Sequence, residues 1–194
     1  FPLRGVAAVI SNAKNKLLDA EEFSHKAEDY FQQKVVDIYK LYQKKLKSNN
    51  ALDFDDIIML TVQLFRQNEQ VFRYYQEKFR YIMVDEYQDT NHAQYMLIKL
   101  LAGKYRNLCV VGDDDQSVYG WRGADIQNIL DFERDYPEAK VIKLEQNYRS
   151  TQMILNAANA VVIKNESRKA KSLWTENAEG QPLVYYVGND ERDE

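Results

Sequence analysis

Three short apolar segments constrain the fold of this 194-residue chain more than any other feature. They are residues 81–84 (Tyr-Ile-Met-Val), 108–111 (Leu-Cys-Val-Val) and 141–144 (Val-Ile-Lys-Leu). Short, continuous apolar runs of this kind are typical of strands that are buried on both faces. A helical pattern follows each run, and its N-caps are Asn91 or Thr90, then Asp125, then Ser150. The alternation of strand and helix predicts an α/β fold with a parallel sheet and right-handed crossovers.

Residues 1–50 have a helical pattern and are locally basic. Asp19 and Glu22 fit a capping box, in which each side chain accepts a hydrogen bond from the backbone N–H of the other residue. The apolar stripe that starts at Phe23 predicts a helix that continues through the following lysine-rich segment. The five lysines between Lys34 and Lys47 favour a solvated helix face, and contact with a polyanion is the alternative.

Acidic residues directly follow the first two predicted strands. Asp85 and Glu86 come after the first strand, and Asp113 to Asp115 come after the second. In open α/β sheets, ligands bind beyond the carboxyl ends of the strands, and clustered carboxylates require a cation or a basic side chain to neutralise them. A strand that ends in Asp-Glu is typical of a Walker B element, in which the first acid holds Mg²⁺ and the second activates water. The alternative is two exposed acids at an ordinary strand end.

The segment Tyr119-Gly120-Trp121-Arg122-Gly123 combines aromatic side chains with a cation and two glycines. Single-stranded nucleic acid is bound by such a mixture, because bases stack on aromatic faces and phosphates attract cations. For Trp121 the alternative is a buried core position. Phe54 follows the predicted N-cap Asp53 and lies on an apolar helix stripe, so its spacing by itself favours core packing.

Three longer segments carry a family resemblance. Residues 84–91 (VDEYQDTN), 111–125 (VGDDDQSVYGWRGAD) and 144–151 (LEQNYRST) strongly resemble motifs II, III and IV of superfamily 1 DNA helicases of the UvrD/Rep/PcrA group. Residues 123–186 are most similar to the PcrA branch of that group. The resemblance covers nearly the whole chain and is weakest in residues 1–50.

The resemblance implies a nucleotide site for ATP and Mg²⁺. Asp85 corresponds to the Mg²⁺ ligand, and Glu86, beside the metal, corresponds to the general base that activates water. Gln116 corresponds to a residue that contacts the γ-phosphate and couples it to the DNA site. Arg149 corresponds to an arginine finger supplied in cis, and Tyr148 to a side chain that stacks on adenine.

The resemblance also implies binding to single-stranded DNA and to duplex junctions, with movement from 3′ to 5′. The side chains that correspond to the family's DNA contacts are Phe54, Tyr119, Trp121 and Arg122.

The phosphate-binding Walker A loop is missing from the sequence. That loop needs Gly, four residues, Gly-Lys and then Ser or Thr. Only Gly103 is followed by lysine, and Ile98 and Tyr105 occupy the other required positions. We therefore expect an internal piece of a longer helicase that is inactive in isolation. Its predicted parts are residues 1–48 (inserted helical subdomain, 1B-like), 49–145 (second half of the RecA-like motor domain 1A) and 146–194 (start of motor domain 2A).

Composition limits the alternatives. The single cysteine, Cys109, excludes a disulfide framework and favours a reducing compartment, so we expect a cytoplasmic protein. No continuous apolar run is long enough to cross a bilayer, so we expect no membrane partner. Two other classes of function stay open at this point. One is a Mg²⁺-dependent nuclease that uses Asp85, Glu86 and the Asp113–Asp115 run, and the other is a non-enzymatic module that binds DNA or protein.

Overall fold

A computed structural model describes residues 2–165 and 171–193, except for the side chain of Arg122. The chain divides into two compact units, Phe1–Phe132 and Glu133–Glu194. The first unit begins with five helices, which are α1 (Leu3–Asn15), α2 (Ala20–Ser24), α3 (Tyr30–Ser48), α4 (Phe54–Gln67) and α5 (Glu69–Lys78). None of the described helices has both the length and the apolar character needed to cross a bilayer.

The capping box predicted at the start of α2 is confirmed. Asp19 accepts hydrogen bonds from the backbone N–H groups of Glu21 and Glu22, and Glu22 accepts one from the N–H of Asp19. The predicted continuous helix is wrong, because α2 ends at Ser24 and a new helix begins after Asp29. Asp29 caps α3 by accepting a hydrogen bond from the N–H of Gln32, and this local cap competes with helix continuation.

Two apolar clusters hold the helices of the first unit together. One joins α1, α2 and α3 through Val6, Ile10, Ala13, Phe23, Val35, Val36 and Tyr39. The other joins the end of α1 to α4 and to a later helix through Leu17, Met59, Val62 and Ala93. Both clusters are formed by residues at helical spacing, so the amphipathic pattern of the sequence is what brings these helices together.

A buried ionic network fixes the start of α4. Lys14 is fully buried, and its Nζ atom donates hydrogen bonds to Asp53 Oδ2 (2.7 Å) and Asp56 Oδ1 (2.8 Å). Asp53 also accepts a hydrogen bond from the hydroxyl of Tyr42 (3.0 Å), and Asp56 accepts one from the amide of Gln43 (3.0 Å). Burial and the bond to Asp53 raise the pKa of Tyr42 to about 12. The network therefore ties α1 and α3 to the first turn of α4.

The sheet has two parallel strands, β1 (Ile82–Val84) and β2 (Leu108–Val110). The register pairs Met83 with Cys109, and both side chains are exposed, Met83 to 81%. The predicted burial of these strands on both faces is therefore wrong, since only the face with Ile82 and Val84 is half-buried. The helix α6 (His92–Ala102) connects the strands, and it begins with the predicted cap at Asn91, which forms a capping box with Gln94.

The predicted third strand at residues 141–144 is absent from the described part of the chain. A strand forms only where a neighbouring segment supplies backbone hydrogen bonds, and an apolar run alone does not supply that neighbour. The described residues thus contain a two-stranded sheet and not a complete RecA-like sheet. In the second unit, the described pairing is an isolated bridge between Gln146 and Trp174.

Three further α-helices follow among the described residues, namely α7 (Gln127–Leu130), α8 (Phe132–Asp135) and α9 (Gln152–Val162). Helix α9 begins one residue later than predicted, because Thr151 occupies the N-cap position and Ser150 does not. The predicted N-cap of α7 at Asp125 is wrong, because Ile126 occupies that position, although Asp125 accepts a hydrogen bond from the N–H of Gln127.

Candidate functional site

The chain turns sharply where β1 ends. Asp85 and Glu86 are both exposed, and Asp85 Oδ1 accepts a hydrogen bond from the N–H of Glu86 at 2.9 Å. Glu86 has a left-handed backbone conformation (φ 49°, ψ 43°), which is unfavourable for a residue with a Cβ atom. A 3-10 turn, Tyr87–Asp89, follows at once. The left-handed conformation of Glu86 turns the chain between the exposed carboxylates of Asp85 and Glu86 and the buried turn that follows them.

Gln88 connects the ends of the two strands. Its side chain is 1% exposed, and its Nε2 atom donates a hydrogen bond to Glu86 Oε2 at 2.7 Å. Its Oε1 atom accepts a hydrogen bond from the backbone N–H of Asp113 at 3.0 Å. Gly112 permits this approach, because a Cβ atom there would lie 2.6 Å from Gln88 Oε1 and 2.8 Å from the Ile129 side chain. Sequence reasoning missed the role of Gln88, although Gly112 at a strand end was a signal for close packing.

The segment after β2 is organised by Asp113. Its Oδ1 atom accepts a hydrogen bond from the N–H of Asp115, and its Oδ2 atom accepts one from the Gln116 amide at 2.8 Å. Asp113, Asp114 and Asp115 have carboxylate oxygens within 4.8 Å of one another. Carboxylate oxygens suit a hard cation such as Mg²⁺, so these donors and Asp85 are chemically compatible with that ion. This cluster of described residues does not include Asp85 or Glu86.

The aromatic segment after this turn faces solvent. Trp121 is 72% exposed and Tyr119 is 42% exposed, with their ring centroids 6.4 Å apart. Gly123 has a positive φ of 86°, which a residue with a side chain adopts only with strain. Because Trp121 is largely exposed, the alternative that it is a core residue is wrong. The side chain of Arg122 lies outside the described part of the chain.

Phe54 is also exposed, to 88%, at the first position of α4. Core packing, the alternative favoured by its spacing, is therefore wrong. The first helical turn can project a side chain away from the apolar stripe, and Asp53 and Asp56 hold this turn against Lys14. The sequence pattern could not show this, because Lys14 and Asp53 are far apart along the chain.

Thr90, which directly follows the 3-10 turn Tyr87–Asp89, binds the residues on the C-terminal side of the aromatic segment. Its backbone carbonyl accepts hydrogen bonds from the N–H of Asp125 (2.9 Å) and from the amide of Asn128 (3.0 Å). The Asn128 amide also contacts the Thr90 hydroxyl at 3.1 Å, and that hydroxyl donates to the carbonyl of Tyr87 at 2.8 Å. Thr90 and Asn128 are both buried, so these bonds are shielded from water.

A polar cleft of about 460 Å³ lies beside the aromatic segment. It is lined by Asn12, Asn15, Lys16, His92, Gly120, Gly123, Ala124 and Asp125. Burial, followed by the charge of Arg66, lowers the pKa of His92, so its imidazole is neutral near pH 7. The cleft thus offers amide groups and one lysine next to the exposed rings.

Tyr148 and Arg149 belong to the second unit, where both are exposed. The Tyr148 hydroxyl donates a hydrogen bond to Gln146 Oε1 at 2.8 Å. Asn147 Oδ1 accepts hydrogen bonds from the N–H groups of Arg149 and Ser150, which fixes the turn that presents both side chains. Their predicted contacts with a nucleotide stay predictions.

The family models and relatives that match this chain are helicases of one family. The model of the UvrD/REP helicase N-terminal domain matches residues 3–137, and that of the UvrD-like helicase C-terminal domain matches residues 142–194. The chain is 60% identical over 191 residues to the ATP-dependent DNA helicase PcrA of Bacillus subtilis (strain 168), covering 98% of the chain and 26% of that relative. It is 59% identical to PcrA of Staphylococcus epidermidis and of Staphylococcus aureus (strain NCTC 8325), covering 100% of the chain and 27% of each relative. The chain therefore spans about a quarter of the length of these curated relatives.

Proposed function

This chain belongs to the UvrD/REP helicase family, and we propose that it is an internal part of an ATP-dependent DNA helicase. The whole protein moves along single-stranded DNA from 3′ to 5′ and separates the duplex at a junction. One observation carries the proposal more than any other. Hydrogen bonds through two buried residues, Gln88 and Thr90, connect the strand-end carboxylate of Glu86 to a segment that exposes Tyr119 and Trp121.

The nucleotide chemistry follows from the strand ends. Asp85 would hold the Mg²⁺ that accompanies ATP, and a bound ion would supply positive charge beside the phosphates. Glu86, directly beside it, orients the attacking water and takes its proton. Gln116 contacts the γ-phosphate. Arg149 stabilises the charge that develops on the transferred phosphoryl group, and Tyr148 stacks on the adenine ring.

DNA binds along the exposed aromatic side chains of the first unit. Phe54, Tyr119 and Trp121 stack on unpaired bases, while Arg122 contacts the phosphate backbone. Their exposure supports this role, because a stacking side chain must be open to solvent before the base arrives. The net charge of −4 is an average over the whole chain and does not oppose a local DNA site.

The division of the chain follows the family. Residues 1–48 are part of the inserted helical subdomain, residues 49–145 are the second half of the first motor domain, and residues 146–194 begin the second motor domain. The protein acts in the cytoplasm. Because the chain has no Walker A loop, it hydrolyses ATP only as part of the longer protein, and the isolated chain should show negligible activity.

The test is unwinding of a tailed duplex by the full-length protein. The Glu86→Gln variant removes the base and should lower ATP hydrolysis by about 10²- to 10⁴-fold, with unwinding lost in parallel. Glu21→Gln, at an exposed glutamate in α2, is the matched control and should behave as wild type. Partial duplexes with a 3′ or a 5′ tail measure the direction. Undiminished unwinding by Glu86→Gln would exclude Glu86 as the base.

The full-length protein also distinguishes the proposed helicase from the two other classes of function. A Mg²⁺-dependent nuclease would cut DNA without any nucleotide, and this class leaves Trp121 and Tyr148 unexplained. A non-enzymatic module would bind DNA without hydrolysing ATP, and its gene would contain no Walker A loop upstream of the segment described here.

A further inference from the structure

The 3-10 turn Tyr87–Asp89 and the following Thr90 contact both ends of the segment that exposes Tyr119 and Trp121. We propose that Gln88 and Thr90 are positioning residues that transmit the position of this aromatic segment to the carboxylate of Glu86. Through them, DNA bound on the segment controls how Glu86 is oriented toward the reacting water. This inference rests on the proposed function and assigns roles to two residues that do not themselves touch ATP or DNA.

The amide of Gln88 has only one workable orientation. An ionised carboxylate such as that of Glu86 can only accept a hydrogen bond, and the backbone N–H of Asp113 can only donate one. The Nε2 atom of Gln88 must therefore face Glu86 and its Oε1 atom must face Asp113, as the distances of 2.7 Å and 3.0 Å record. With the side chain buried, water cannot replace either partner cheaply. A shift of Asp113 thus moves Gln88, and Gln88 moves the Glu86 carboxylate.

The aromatic segment is fastened on both sides. On its N-terminal side, the backbone N–H of Asp113 donates to Gln88 Oε1 at 3.0 Å. In addition, the Ser117 hydroxyl contacts the carbonyl of Gln88 at 3.4 Å. On its C-terminal side, Asp125 and Asn128 donate to Thr90 at 2.9 Å and 3.0 Å. If a base that stacks on Trp121 moves the segment, the hydrogen bonds at both Gln88 and Thr90 are therefore displaced.

Two further features make the connection stiff. Gly112 brings the backbone against the Gln88 amide with no space for a methyl group, so the two strand ends are closely packed at this point. Glu86 has a positive φ, and this strained backbone is maintained by its surroundings rather than by local preference. The hydrogen bond from Gln88 is the described contact that holds the Glu86 carboxylate from the side of β2.

The experiment measures coupling in the full-length protein with oligothymidylate as the DNA probe. Gln88→Leu keeps a side chain of similar size and removes both hydrogen bonds of the Gln88 amide. We expect the stimulation of ATP hydrolysis by oligothymidylate to fall about tenfold or more, through kcat rather than the KM for ATP. The affinity for oligothymidylate without nucleotide should stay within about twofold of wild type, since the stacking side chains are unchanged.

A second readout does not depend on hydrolysis. If the two sites are coupled, a non-hydrolysable ATP analogue changes the affinity of the wild-type protein for oligothymidylate, and the coupling is reciprocal. In Gln88→Leu this change should disappear. Gln67→Leu, at an exposed glutamine at the end of α4, is the matched control and should retain both couplings.

Other variants keep the test decisive if Gln88→Leu does not fold. Gln88→Glu keeps an acceptor for Asp113 but cannot donate to Glu86, so it should uncouple the sites as well. Thr90→Val removes the hydroxyl and should weaken stimulation, while Thr90→Ser restores the hydroxyl and should restore the stimulation. Wild-type stimulation and wild-type nucleotide dependence in the folded Gln88 variants would overturn the proposal. A wild-type protein without any DNA-stimulated hydrolysis would instead overturn the proposed function.

Discussion

The Nζ atom of Lys14, near the end of α1, lies 2.7 Å from a carboxylate oxygen of Asp53, the residue that caps α4 directly before Phe54. A fully buried lysine thereby determines the direction in which an exposed aromatic side chain leaves the first unit. A buried cation contributes to stability only while its partners are present, and removing one partner leaves the other charge unpaired.

The Lys14→Met substitution should destabilise α4. It retains most of the side-chain volume but leaves Asp56, which is also fully buried, without its cation. We expect a loss of about 3–5 kcal/mol of stability, as for other broken buried ion pairs. Hydrogen exchange of the α4 amides in the full-length protein measures it. Lys16→Met, at an exposed lysine two positions along, is the control, and equal exchange in the two variants would contradict the prediction.

The same network predicts a dependence on pH. Burial opposes ionisation of Asp53, but hydrogen bonds from Lys14, from the N–H of Asp56 and from Tyr42 outweigh it and lower the pKa of Asp53 below its ordinary value of 3.8. Because folding lowers this pKa, ionised Asp53 stabilises the fold above pH 3.8, and the contribution is lost as the pH falls through the lowered pKa. The stability difference between wild type and Asp53→Asn should therefore shrink as the pH falls from about 5 to about 2. A difference that stays constant over this range would show that Asp53 is not ionised in the fold.

The Gly112→Ala substitution should disturb the contact between the strand ends. The added Cβ atom would lie 2.6 Å from Gln88 Oε1 and 3.2 Å from the backbone nitrogen of Tyr87, so the turn must shift. We expect a loss of roughly 1–3 kcal/mol in stability together with weaker DNA stimulation of ATP hydrolysis. Thermal denaturation and steady-state kinetics check both effects. Gly120→Ala is the control for the stability measurement, because a Cβ atom there meets nothing within 4 Å.

The Trp121→Ala substitution should weaken binding of single-stranded DNA. Loss of one stacked base costs about 1–3 kcal/mol, or roughly a five- to 150-fold increase in Kd. The salt dependence of Kd should change little, since no phosphate contact is removed. Fluorescence anisotropy with a labelled oligothymidylate measures both quantities. Tyr81→Ala, which removes an exposed ring outside the aromatic segment, should leave Kd unchanged.

Local features of the fold could be predicted from the sequence. The capping box at Asp19 and the N-cap at Asn91 could be predicted because each depends on residues only a few positions apart. The first two strands were also found, because each is a short apolar run that ends in acidic residues or in glycine. The family, too, was identified from motifs that are contiguous in the chain.

Features that depend on distant partners could not be predicted. Residues 141–144 have the pattern of a strand, but the described structure supplies no neighbour for them. Gln88 gave no signal of its own, since its importance arises from contact with Asp113 and Gly112 across the sheet. Phe54 lay on an apolar stripe, and only the ionic network around Asp53 explains why it faces solvent.

The close approach of Gly112 to Gln88 has an evolutionary consequence. A side chain at position 112 has room only if position 88 carries a shorter residue, and a shorter residue there can no longer reach both Glu86 and Asp113. Position 112 is therefore expected to change only together with position 88. Sequences of this family that lack glycine at the first position should also lack glutamine at the second, and such pairs would mark lineages that regulate hydrolysis by a different route.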